Sequence, residues 1–230
     1  MLKFLPQTSR REFLEVLGLG AAGLVVGCTA ENPASPGTPV SSGTPVSSAT
    51  PGPTAQLLEM NHFVKIGADD KVTVVVKHSE FGQGVSTGLT AIVAEELDAD
   101  WGQMAWEFAP ADHKKYANSL MGIQGTGGSS SIANSWQELR LAGAGARALL
   151  VAAAAAEWQV SAAEIEVSKG KITHKSGKTS GFGALAAAAA SQKLPEQVLL
   201  KDPSKFTLIG QPLVRLDGPA KSNRQAQFTI

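Results

Sequence analysis

The sequence predicts an α+β domain, and three observations carry that prediction. Residues 62–66 and 72–76 are β-rich runs either side of Gly67-Ala68-Asp69-Asp70, which supplies turn residues at hairpin spacing. Residues 165–167 and 171–174 repeat the pattern around the turn Ser168-Lys169-Gly170. Between them lie two stretches with helical character, 85–97 and 132–158. A chain of 230 residues with 43% hydrophobic and 17% charged content has apolar material for one ordinary core.

In chain order, the first segment is an address. Thr8-Ser9-Arg10-Arg11-Glu12-Phe13-Leu14 precedes a mild apolar run, 16–26, interrupted by Gly18, Gly20 and Gly23, and resembles a twin-arginine export signal. A lasting membrane helix needs about 20 apolar residues, and this run is roughly half that. Leu24-Val25-Val26-Gly27-Cys28 resembles a bacterial lipoprotein box, which makes Cys28 the expected lipidation site and 1–28 the signal. Acyl chains on Cys28 would supply the anchoring that the short run lacks. Residues 29–58 are dominated by Pro, Ser, Thr, Gly and Ala, with a near-repeat at 37–42 and 43–48. Such a segment cannot bury a core and reads as a disordered linker, a tether between membrane and domain.

After the first hairpin, the helix at 85–97 carries Leu89, Ile92, Val93 and Leu97 on one side and Glu95, Glu96 and Asp98 on the other, so the acidic residues are expected on a solvated face. Residues 104–108 read as a strand and 110–130 as a loop, long enough that a function is expected of it. In 132–158, many alanines among Leu139, Leu141, Leu149, Leu150 and Val151 permit close helix packing, while Arg140 and Arg147 argue against a membrane span. Ser161 caps a short turn into the second hairpin, 183–192 reads as a small helix, and from Leu199 the chain is extended and punctuated by Pro203, Pro212 and Pro219.

Twenty basic residues balance twenty acidic ones, with a pI of about 6.9. Charge therefore favours neither nucleic acid nor an anionic surface as a partner. The single cysteine excludes an internal disulfide, and an iron–sulfur cluster held by several cysteines of this chain. His62, His78, His113 and His174 lack the paired spacing of a metal site, and Trp101, Trp106, Trp136 and Trp158 read as packing residues.

The chemistry concentrates in Glu80-Phe81-Gly82-Gln83-Gly84-Val85-Ser86-Thr87, between a strand and a helix. Glycines there admit a ligand close to the backbone, and a helix start offers unpaired N–H groups to a phosphate or another electron-rich group. Gln83 adds an amide. The segment lacks the lysine of a P-loop and puts Thr87 where a dinucleotide fingerprint has its last glycine. Gln124-Gly125-Thr126-Gly127-Gly128-Ser129-Ser130-Ser131 again precedes a helix and repeats the offer. The plain readings stay open beside these: a glycine-rich turn without a ligand, and a solvated loop in which Ser131 is only an N-cap.

Glu80-Phe81-Gly82-Gln83-Gly84 with Thr87, then Ala94-Glu95-Glu96-Leu97, Thr126-Gly127-Gly128-Ser129-Ser130-Ser131, Leu139-Arg140 and Arg215-Leu216-Asp217 resemble the large subunits of the xanthine dehydrogenase and aldehyde oxidase family, of the isoquinoline 1-oxidoreductase type. The likeness runs from Asn61 to Phe228. It implies a molybdopterin-binding portion at 59–206, and at 207–230 the truncated start of a hammerhead-like next domain. It implies molybdenum on molybdopterin in its cytosine dinucleotide form, with Gly82, Gln83, Gly84, Thr87, Thr126, Gly127, Gly128 and Ser129 as cofactor-binding positions and no metal ligand from the protein. The implied activity is hydroxylation of small N-heterocycles or aldehydes with oxygen from water, beside an iron–sulfur small subunit or a cytochrome that accepts electrons. The family's catalytic glutamate lies beyond residue 230, so Glu80, Glu95 and Glu96 are not assigned that role and the catalytic residues stay unknown. A twin-arginine signal suits such a cofactor, since that route exports folded proteins. Lys221-Ser222-Asn223-Arg224 departs from the glycine-containing turn that follows the family's lysine. The alternative is a non-catalytic, membrane-tethered binding module derived from the same family.

Overall fold

The computed structural model describes residues 57–226, and the expected signal, Cys28 and linker residues 29–56 lie outside the described residues. Four strands form one sheet in chain order: β1 (Leu57–Asn61), β2 (Val64–Gly67), β3 (Val72–Val76) and β4 (Met104–Phe108). The expected hairpin is β2–β3, antiparallel, and Gly67 N–H donates to Lys71 O at 2.8 Å while Asp70 closes the turn with φ 66°. All five residues of β3 are buried, as its unbroken Val-Thr-Val-Val-Val run demands of a strand covered on both faces. β4 joins β3 in parallel, which requires a crossover, and α1 (Val85–Leu97) supplies it.

Strand β1 begins two residues inside the stretch read as linker. Asn61 secures its end, donating from Nδ2 to Ala142 O at 2.9 Å and accepting the Phe63 N–H on Oδ1. The loop at 110–130 contains a one-turn helix, α2 (His113–Tyr116), whose buried Tyr116 packs edge-on against Phe63 and donates its hydroxyl to His62 O. Helix α3 (Ser131–Trp158) is long and apolar enough to cross a membrane by length and composition, yet Leu139, Ala146, Leu150 and Ala153 sit in the domain core. It lies close on α1 at Gly143, where a Cβ would stand 2.7 Å from Val93 O and 3.0 Å from Glu96 Cβ.

A second sheet, β5 (Ile165–Ser168), β6 (Lys171–His174) and β7 (Thr179–Gly181), is an antiparallel meander entered by a 3-10 turn that Ser161 caps as expected. α4 (Phe182–Ala190) follows, with Phe182, Leu185, Ala186 and Ala189 buried at helical spacing. Beyond it runs an extended strap with one 3-10 turn at Pro203–Lys205, then a short helix, α5 (Gly218–Ser222).

The expectation for the acidic residues of α1 fails. Glu95 and Glu96 are not on a solvated face; both are 0% exposed. The cause is tertiary: the strap at 199–217 lies over the side of α1 that local periodicity left outward, and Thr207, Leu208 and Ile209 bond to Glu95 there. Residues either side of the expected 206/207 boundary are thus fastened to the same helix.

Candidate functional site

The loop ahead of α1 is shaped by Gly82 and Gly84, with φ of 117° and 84°, a region that side-chain-bearing residues rarely adopt. Gly84 is the N-cap of α1. The N–H groups around this helix start already have an acceptor. Glu80 Oε1 takes Gly82 N–H at 2.8 Å and Gly84 N–H at 3.0 Å, and Oε2 takes both the N–H and the hydroxyl of Ser86 at 3.0 Å. Burial works to raise the Glu80 pKa, but hydrogen bonds from Gly84, Ser86 and Gly82 outweigh it and hold the carboxyl below its usual range. The expectation of unpaired donors there is therefore corrected at residues 82, 84 and 86, where the chain provides its own anion.

Gln83 is tied into the loop: Oε1 accepts from Phe81 N–H at 2.8 Å and Nε2 donates to Ser79 O at 2.7 Å. An amide has two N–H hydrogens and two lone pairs, so each end retains capacity for one further partner. Thr87 accepts the Leu216 N–H at 3.1 Å. Arg215 donates to both carboxylate oxygens of Asp217, at 2.9 and 2.7 Å, and to Gly82 O at 3.0 Å, while Lys221 reaches Asp217 at 2.6 Å. The Asp217 carboxyl is held well below the usual range, first by Arg215 and then, against the opposing effect of burial, by Lys221.

Gln83, Gly84, Thr87 and Arg215 open on a groove of about 480 Å³ whose apolar walls include Trp136 and Leu208. That volume lies in the ordinary range for small-molecule sites, and apolar walls with a few fixed polar groups are the usual make-up of one. A flat heteroaromatic pterin fits this composition: apolar faces against the walls, amides and a guanidinium at the edge.

The second glycine-rich element meets the first. Thr126 Oγ1 accepts the Ser79 N–H at 2.8 Å, so one residue, Ser79, touches both Thr126 and Gln83. Thr126 itself lines a smaller cavity of about 150 Å³ with His78, Ser79 and Gln124. Gly127, Gly128 and Ser129 line neither space; Gly128 and Ser129 are exposed, with φ of 60° and 53°. The N-cap of α3 is Ser130 and not Ser131, and its hydroxyl donates to Gly127 O and accepts from Asn118. His78 is buried beside Thr126, its Nδ1 3.5 Å from the threonine hydroxyl, and burial followed by the charge of Lys77 lowers its pKa, which favours the neutral ring. No group of three metal-ligating side chains occurs among the described residues.

Sequence reasoning passed over Glu80 as a helix-start acceptor, Arg215 as a groove residue with Asp217 as its carboxylate partner, and Trp136 as more than packing. For Glu80 a local signal existed: a carboxylate two and four residues ahead of glycines, with a serine two beyond. Arg215 gave none, being 133 residues from the Gly82 carbonyl it binds.

The beta subunit of isoquinoline 1-oxidoreductase from Brevundimonas diminuta is 33% identical over 214 residues, which is 76% of this chain and 27% of that protein. A membrane-bound aldehyde dehydrogenase (pyrroloquinoline-quinone) of Gluconacetobacter polyoxogenes is 32% identical over 171 residues, 72% of this chain and 21% of its own length. A nicotinate dehydrogenase subunit of Pseudomonas putida is 27% identical over 177 residues, 76% of this chain and 14% of that protein. The chain thus spans about a quarter or less of the relatives it matches. The molybdopterin cofactor-binding domain family matches residues 14–226, and to that family the chain belongs.

Proposed function

We propose that this chain is the molybdopterin-binding part of an exported molybdenum hydroxylase subunit that hydroxylates N-heterocycles or aldehydes with oxygen from water. The observation that carries the reading is the Ser79 junction, which brings the loop of Gln83 to that of Thr126 beside a ligand-sized groove. The named relatives support the substrate class, one bearing an N-heterocycle and another an aldehyde in its name. Bound molybdenum cofactor, here in its cytosine dinucleotide form, would supply the redox change, and the protein the binding and orientation. Gln83 offers an amide edge, Gly84 a surface without a side chain, and Arg215 a guanidinium, while Trp136 and Leu208 exclude water from the ligand's faces.

The rest of the reading rests on the sequence. Residues 1–28 export the chain, lipidation at Cys28 tethers it on the periplasmic side, 29–56 give it reach, and 207–230 lead into a further domain. An iron–sulfur subunit or a cytochrome accepts the electrons. One observation favours the second reading, a non-catalytic tethered module: Glu80 occupies the α1 start that an anionic ligand would otherwise use. Molybdenum and pterin content of protein purified from the full reading frame separates them. Stoichiometric metal and pterin support the enzyme subunit; neither, in protein that is folded and expressed with an active cofactor pathway, supports the module.

A further inference from the structure

We infer that Glu95 is a positioning residue for the groove: its buried carboxylate seats the strap at 201–209 and so builds the wall formed by Leu208, Ile209, Gly210 and Gln211. The inference rests on the groove being the ligand site. Glu95 Oε2 accepts three consecutive backbone N–H groups, from Thr207 at 2.9 Å, Leu208 at 2.6 Å and Ile209 at 3.0 Å. Successive N–H groups converging on one point form an anion-binding nest, and here the anion belongs to the chain itself. Oε1 takes the Lys201 ammonium at 2.8 Å.

Within 201–209, Leu208 packs against the core and Phe206 against Trp136, but neither is fully buried, and the hydrogen bonds that fasten the segment are ionic or charge-assisted. Lys201 N–H donates to Glu96 Oε2 at 2.9 Å, Lys201 Nζ also reaches Asp98 at 2.6 Å, and Arg140 donates to Lys201 O at 2.5 Å. Glu95 is the only one of these groups bonded to the wall residues themselves, since Leu208 and Ile209 both line the groove and both donate to it. Replacing Glu95 by Gln keeps the volume but turns an N–H₂ group toward either the nest or the Lys201 ammonium, so a donor faces a donor whichever way the amide is turned.

Hydrogen exchange on the full chain tests this directly. In the wild type the amides of 207–209 should be protected as well as those of α1. In Glu95→Gln they should exchange at least about tenfold faster while β3 amides are unchanged, the mark of local opening. Pterin content of protein from the full reading frame should fall several-fold in the same variant. Unprotected wild-type amides at 207–209, or unchanged exchange in Glu95→Gln, would overturn the inference, and so would a loosened strap with undiminished pterin. If Glu95→Gln does not accumulate, wild-type protection decides alone. A wild type devoid of pterin would sink the proposed function instead, and exchange would still decide whether Glu95 seats the strap.

Discussion

Removing the Arg140 guanidinium, as in Arg140→Met, should destabilise the fold far more than an ordinary substitution on a helix. Arg140 Nε donates to Glu96 Oε1 at 2.6 Å, with the arginine side chain 9% and the glutamate 0% exposed. Without it, Glu96 keeps only the Lys201 N–H at 2.9 Å as a donor, inside a site that water does not reach. Stripping one partner from a buried pair costs about 3–5 kcal/mol, because the other charge stays desolvated. The guanidinium also lies 5.5 Å from the Trp136 ring and 5.2 Å from Phe206, contacts of about 0.5–2 kcal/mol together with their share of desolvation. Met preserves much of the stem's packing. The expected loss of about 3–5 kcal/mol is a large fraction of the roughly 5–15 kcal/mol that holds an ordinary domain. Urea unfolding followed by circular dichroism near neutral pH reads it as a lower midpoint at unchanged slope. The double variant Arg140→Met/Glu96→Leu should recover most of the loss, short by about 1–2 kcal/mol for the Lys201 N–H and C=O left without these partners. A single-variant loss under about 1 kcal/mol, or additive single and double variants, would refute the account.

Other outcomes follow from the same geometry. Gly143→Ala must push a methyl against Val93 O at 2.7 Å, so the α1–α3 contact has to open and thermal unfolding should reveal a loss of about 1–3 kcal/mol. Gln83→Ala should lower pterin retention in the full reading frame, read by oxidised-pterin fluorescence, with the circular dichroism spectrum unchanged; equal retention would remove Gln83 from the site. Glu80 and Glu95 have folded pKa values below their unfolded value of about 4.3, so the unfolded chain binds more protons between the two. The stability they contribute is present above the unfolded value and lost as pH falls through the folded ones. Glu80→Gln should therefore flatten the acid limb of a stability–pH curve, and an unchanged limb would show that the carboxylate is not holding the α1 start.

The α+β organisation was legible because the hairpins and the two long helices advertise themselves locally, through turn residues and apolar periodicity. β1 escaped because Leu57 and Leu58 border a Ser- and Pro-rich stretch, and β7 because Thr179-Ser180-Gly181 is too short and polar to show a period. Glu95 and Glu96 were misread for a different reason. Their surroundings are decided by a strap more than 100 residues downstream, and no window on α1 contains it. Along the groove, Gln83 and Gly84 were legible from glycines at a helix start and Thr87 only through the family resemblance; all three line it, while Gly82 does not. Gly127, Gly128 and Ser129 had the same local signature without the same placement, since composition does not say which way a loop faces.

The balanced charge of the whole sequence conceals a pattern that the fold makes specific. Glu95, Glu96 and Asp98 on or just after α1 meet Lys201, Arg140 and Arg147, three acids with three bases, where segments distant in the chain are joined. An apolar contact would hold a strap against a helix but tolerate sliding along it. Directional ionic hydrogen bonds do not, because a slip of one residue takes three N–H groups off a single carboxylate oxygen. Register matters here, since it selects which strap residues face the groove. Arg215 and Leu216 are referenced to the start of the same helix, Leu216 through Thr87 on α1 and Arg215 through the Gly82 carbonyl in the loop just ahead of it. The groove is thus set by one helix and the loop that starts it, and a site built on such a fixed frame keeps its shape before any ligand arrives.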